Sequence, residues 1–170
     1  LTDIRLLDDD GQEVPMGQPG EIAAKGPQVM AGYWQRPDET AKVMTRDGFL
    51  RTGDIGTVDD FGCFRLVERK KDLISVAGCH VFPSEIEELV AALPGVLECA
   101  VCGIPDGAHG EAVKLVVVKS DVRLDEAEVR AYCDAHLPIH KRPRQIEFRE
   151  ALPRSTIGKL LRRQLRDAQA

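Results

Sequence analysis

Three short clusters hold the residues of this chain that could act on a ligand. The last is Leu152-Pro153-Arg154-Ser155-Thr156-Ile157-Gly158-Lys159. A proline ends one segment, a glycine frees the backbone, and a cationic side chain follows on a turn or helix start. That arrangement carries a mobile positive charge toward phosphate or carboxylate oxygens. Far upstream stands Leu50-Arg51-Thr52-Gly53-Asp54-Ile55, and between the two lies Glu68-Arg69-Lys70-Lys71-Asp72. Each cluster alone reads as an ordinary turn or solvated basic run. The weight of Lys159 comes from the company of the other two.

Composition bounds what surrounds these clusters. A chain of 170 residues that is 43% hydrophobic and 30% charged has a soluble, globular balance. Its length allows one or two small domains. The longest apolar runs, such as Leu115-Val116-Val117-Val118, are far too short to span a bilayer. No signal segment opens the chain, and a start at Leu1 is expected of a piece cut from something longer. Net charge is −5, yet residues 138–170 hold nine Lys/Arg against three Asp/Glu, leaving −11 for the remainder. A basic end on an acidic body suits an anionic small molecule. Nucleic acid is the rival reading and is not expected as a partner, because the basic stretch lacks interleaved aromatics and any recognised nucleic-acid motif.

Five cysteines, odd in number and scattered, favour reduced thiols in a cytosol. Cys99 and Cys102 lie within a segment that reads as a strand. Residues three apart on a strand face opposite sides, which leaves them unable to chelate or pair. No metal site is expected.

The elements that must position the clusters change character along the chain. The first seventy residues read as strands and turns with one short helix starting at Pro37-Asp38-Glu39. Strands are expected at Ile4-Arg5-Leu6-Leu7, from Gly20, at Gly48-Phe49-Leu50-Arg51-Thr52, and from Phe61 to Val67, the last two joined through Asp59-Asp60. Beyond Lys71, Ser84-x-x-Glu87 reads as a capping box. Ile86, Leu89, Val90 and Leu93 then form one apolar stripe that Pro94-Gly95 stops. Strands are expected over 99–103 and 112–119, flanking a loop from Pro105 to Gly110. A second helix begins at Asp125, capped with Glu128, and buries Val129, Tyr132, Cys133 and Leu137. A strand at 145–148 and a terminal helix from about Lys159 complete an α+β unit. The expected division is 1–70 and 71–170.

Taken in order, these segments resemble the acyl-adenylate-forming superfamily of acyl-CoA synthetases, peptide-synthetase adenylation domains and beetle luciferases. The matching segments are Gly20-Glu21-Ile22 through Gly32-Tyr33-Trp34; Arg51-Thr52-Gly53-Asp54; and Arg69-Lys70-Lys71-Asp72-Leu73-Ile74 with Gly78, Pro83 and Glu85-Ile86-Glu87. They continue with Leu137-Pro138-x-x-Lys141-x-Pro143 and Pro153 through Gly158-Lys159-Leu160-Leu161-Arg162. Any one is weak; the ordered set is specific. The wording at Gly26-Pro27-Gln28-Val29-Met30 and Glu111-Ala112-Val113-Lys114 looks most like bacterial long-chain fatty-acid–CoA ligases.

The resemblance implies a closing β-rich subdomain of a large adenylation domain over 1–70, followed by a mobile C-terminal lid. It implies ATP and CoA as co-substrates and a long-chain fatty acid as substrate. Mg2+ would have its ligands outside this chain, as would the phosphate loop and the acyl pocket. The 170 residues alone are therefore expected to be inactive. By the same resemblance Asp54 accepts hydrogen bonds from the ribose hydroxyls, Arg69 adds a fixed donor, and Lys71 is the hinge. Lys159 meets the charge that develops as adenylate forms, a contact typically worth roughly 3–4 kcal/mol. Gly78 would let the pantetheine arm of CoA pass close to backbone. The location implied is cytoplasmic, with peripheral contact at the inner face of the cytoplasmic membrane, and a homodimer is allowed. Two other readings stand beside this one: a noncatalytic nucleotide- or partner-binding module on the same scaffold, and an adenylation domain for another carboxylic acid.

Overall fold

Short alternating segments separated by aspartate- and glycine-rich turns fold the first part of the chain into an antiparallel sheet. A computed structural model describes residues 2–166, and the chain divides into two compact units, Leu1–Lys71 and Asp72–Ala170. In the first unit, β1 (Asp3–Leu7), β2 (Gly20–Lys25), β3 (Leu50–Val58) and β4 (Phe64–Arg69) pair in the order β1-β2-β3-β4. Leu7, Ala23 and Phe49 form its small core. The helix α1 (Pro37–Val43) has proline in its first turn beside Asp38 and Glu39. The strand expected from Phe61 starts later, at Phe64. Asp59 Oδ1 accepts from the amides of Phe61 and Cys63, which closes those residues into a turn.

The second unit is a mixed sheet with helices. It contains β5 (Ile74–Val76), β6 (Cys79–Val81), β7 (Val96–Asp106), β8 (Gly110–Lys119) and β9 (Gln145–Arg149). The order is β6-β5-β8-β7, and β9 lies beside β8 in parallel. A parallel neighbour needs a crossover, which α3 (Glu126–His136) supplies. The loop expected from Pro105 to Gly110 is shorter than anticipated, because the β7–β8 ladder runs on to Asp106↔Gly110.

Alternation along β7 and β8 feeds two separate cores. Val101, Val113, Leu115 and Val117 pack with Ile86 and Val90 of α2 (Pro83–Ala91) and with Val129 and Cys133 of α3. On the opposite face Ala100, Cys102, Val116 and Val118 pack with Leu152 and with Leu165 of α4 (Arg162–Arg166). This two-sided burial explains the valine-rich run of β8. Cys99 and Cys102 fall on opposite faces, as the strand geometry predicts, and all five cysteines are free.

Two expectations about helix starts need correction. Ser84 is not the cap of α2. Phe82 is, without a side-chain cap bond, because Pro83 occupies the first turn. Glu87 instead accepts from the Val101 amide at 2.7 Å and from Arg162. Likewise α4 starts at Arg162 and not near Lys159. At α3 the expectation holds: the Asp125 carboxylate accepts from the Glu128 amide at 2.9 Å.

Candidate functional site

In the first unit the Thr52-Gly53-Asp54 segment is a bulge. Glu21 pairs with Ile55 and Ala23 with Arg51, so Ile22 alone faces three residues of β3. The backbone groups freed by this mismatch are met by side chains. Thr52 Oγ1 donates to the Ile22 carbonyl at 2.9 Å and accepts from the Asp54 amide at 3.1 Å. The Gly53 amide donates to Glu21 Oε1 at 3.2 Å. Gly53 has φ of +74°, the left-handed region where a side chain is strained.

The bulge aims Asp54 at Arg69, its in-register partner on β4. Arg69 Nε lies 2.8 Å from Asp54 Oδ1. The ion pair is close, but its angle does not make a hydrogen bond. Oδ1 is shielded from solvent and has no hydrogen-bond donor among the described residues. The alternative role for such an acid, closing its own turn, is filled here by Thr52.

Immediately after β4, Lys70–Asp72 form a single 3₁₀ turn. The Lys70 ammonium lies 2.8 Å from Asp9 Oδ1 and 3.1 Å from Glu21 Oε2. Burial works against that charge, yet the hydrogen bonds to Asp9 and Glu21 outweigh it and hold the Lys70 pKa above the usual lysine value. Lys71, the expected hinge, is exposed and is the last residue of the first unit.

In the second unit Gly78 sits at the tip of the β5–β6 hairpin, where Val76 pairs with Cys79. Ala77 and Gly78 have φ of +50° and +82°, the mark of a tight two-residue turn. A Cβ built on Gly78 meets nothing within 4 Å, so the turn presents bare backbone.

Lys159 also follows a hairpin turn. The Gly158 amide donates to the Ser155 carbonyl at 2.9 Å, and the Ser155 amide to the Lys159 carbonyl at 2.8 Å. With Gly158 at φ +80°, this is a three-residue loop closed by a glycine bulge. The Ser155 hydroxyl accepts from the Lys159 amide at 3.1 Å, and Arg154 donates to the Gly158 carbonyl. The Lys159 side chain is exposed and has no ion-pair partner among the described residues.

Sequence reasoning missed the side chains that brace these turns. Behind Lys159, Arg162 forks onto Glu87 and the Val101 carbonyl. Lys114 is buried between β8 and α4, donating to the Leu165 carbonyl at 2.9 Å and pairing with Glu147 at 2.7 Å. Glu21 binds Arg51 at 2.9 Å as well as Lys70 and Gly53. One signal was available for Glu21: period-two alternation places it on the buried face with Ala23.

The chain belongs to the AMP-binding, acyl-adenylate-forming enzyme family. The model of the AMP-binding enzyme C-terminal domain matches residues 85–159, and that of the AMP-binding enzyme matches residues 1–34. Long-chain-fatty-acid–CoA ligases of Yersinia pestis and Escherichia coli are 54% and 52% identical to it over 98% of its length. The chain spans 29% of each of those relatives. The crystal structure of ATP-bound MatB from Rhodopseudomonas palustris matches 98% of the chain with a TM-score of 0.91 and 40% identity, the chain covering 33% of it.

Proposed function

We propose that this chain supplies the ribose-binding turn, hinge and lid of a long-chain fatty-acid–CoA ligase. The observation that carries the reading is the Asp54 carboxylate, partly exposed beside Arg69 while Thr52 closes its turn. A carboxylate offers two acceptor oxygens, and a ribose hydroxyl is a donor of the right kind. Arg69 holds the carboxylate in place.

The reaction has two halves. In the first, a fatty-acid carboxylate oxygen attacks the α-phosphorus of ATP, the α–β phosphoanhydride bond breaks, and pyrophosphate leaves. Lys159 meets the negative charge that builds on the phosphoryl oxygens. In the second, the lid turns about Lys71, Lys159 withdraws, and the Gly78 hairpin lines the approach of CoA. The thiol sulfur bonds to the acyl carbon, the carboxyl–phosphate bond breaks, AMP leaves, and the thiol proton passes to solvent. No nucleophilic side chain is required, because CoA brings its own thiol. Magnesium belongs to this reaction by family, but no group of three or more His, Cys, Asp or Glu among the described residues could hold it, and no step here runs through it. No helix among the described residues is long and apolar enough to cross a membrane. A cytoplasmic enzyme touching the inner membrane face through its lipid substrate fits this reading.

The test is Lys159→Ala in the full-length ligase. Adenylate formation is expected to slow by roughly two to three decades. Thioester formation from supplied acyl-adenylate is expected to stay near the parent rate. Equal losses in both half-reactions would remove Lys159 from the role given it here.

A further inference from the structure

Among the described residues only two charged side chains are buried, Lys114 and Glu21. Lys114 fastens α4 to the sheet and has a packing explanation. Glu21 sits where packing alone does not call for a charge, since an apolar residue of similar volume avoids the desolvation cost. Its carboxylate is surrounded instead by three donors, two from β3 and one from the turn that follows β4. Arg51 Nη1 and Lys70 Nζ approach Oε2, and the Gly53 amide approaches Oε1.

These partners frame Asp54. Glu21 pairs with Ile55 in the ladder, the residue after Asp54, while its side chain holds the amide of Gly53, the residue before it. Arg51 opens the bulge. Lys70 directly follows Arg69, so the same carboxylate anchors the end of the strand that carries the aspartate's partner. One buried anion thus braces both strands on which the Asp54–Arg69 pair depends.

We infer that Glu21 is a positioning residue for ATP, holding the bulge of β3 and the end of β4 so that Asp54 presents its carboxylate to the ribose. The inference rests on the nucleotide reading of Asp54 proposed above. Glu21 does not touch ATP; it acts through Asp54. Lys70, clasped by the same group, is the last anchored residue before the hinge at Lys71.

The experiment is a double-mutant cycle in the full-length ligase, measuring KM for ATP, fatty acid and CoA together with thermal denaturation. Glu21→Gln keeps the size of the side chain and removes its charge. It is expected to raise KM for ATP about tenfold and to leave KM for the other two substrates unchanged. Because Glu21 acts through Asp54, Glu21→Gln added to Asp54→Asn is expected to raise KM for ATP no further than Asp54→Asn alone. Additive effects, an unchanged KM for ATP, or equal rises for all three substrates would overturn the inference. If Asp54→Asn itself leaves KM for ATP unchanged, the nucleotide reading fails and the inference with it. If Asp54→Asn weakens ATP binding and Glu21→Gln does not, only the positioning role fails. Should Glu21→Gln not fold, Lys70→Met runs the same cycle from one arm of the hub, and additivity there is equally decisive.

Discussion

Cys99 and Cys133 carry thiols that burial pushes up to about 12 and about 11, and burial raises Cys102 as well. At neutral pH almost none of these groups is thiolate, the form that reacts. Cys63 and Cys79 are exposed. Brief alkylation of the native chain with iodoacetamide at neutral pH is therefore expected to label Cys63 and Cys79 and to spare the other three, as read by peptide mass spectrometry. Labelling of Cys99 or Cys102 without denaturant would contradict the two-faced burial of β7. Lys159 stays exposed and unpaired among the described residues, which leaves its charge available, whereas Asp54 is partly exposed and stands 2.8 Å from Arg69. Both residue types are readable from Thr-Gly-Asp and Gly-Lys, but the pairing of Asp54 with Arg69 is not, since it depends on the register of β3 against β4.

Turn chemistry decides the elements that matter most. Ala77 already occupies the left-handed region beside Gly78, and a Cβ at Gly78 meets no neighbour. Gly78→Ala is thus expected to cost only backbone strain, about 1 kcal/mol of stability. If bare backbone serves CoA, the thioester half-reaction falls far more than that, on the order of tenfold or greater, while adenylate formation holds. Parallel small losses in both half-reactions would assign Gly78 to the turn alone. The hairpin itself was not foreseen, because strands of three residues leave no periodicity to read. The stripe of α2 was readable over two turns, yet its cap was not: Pro83 pre-empts Ser84, and Glu87 turns toward a residue of β7.

Acid stability belongs to the whole second unit, where Glu147 joins β9 to Lys114 of β8. Its pKa is lowered, chiefly by the hydrogen bond from Arg149, against burial and with help from Lys114. A depressed folded value means that Glu147 stabilises the fold fully above the ordinary glutamate pKa of 4.5. That contribution is lost as pH falls through the lowered folded value. Denaturation midpoints measured across this acid range are expected to drop with pH, and Glu147→Gln is expected to flatten part of the slope; an unaltered slope would exclude Glu147 as a contributor. What the sequence determined by itself is what local spacing encodes, namely the Thr52-Gly53-Asp54 cluster, the glycine turn before Lys159 and the opposite faces of Cys99 and Cys102, together with the family that the ordered motifs resemble. Only the tertiary structure decided that Glu21 gathers Arg51, Gly53 and Lys70, and that Glu87 and Lys114 secure the segment behind Lys159. Those partners lie 30 to 75 residues apart, and no local pattern specifies which buried carboxylate a distant cation will reach.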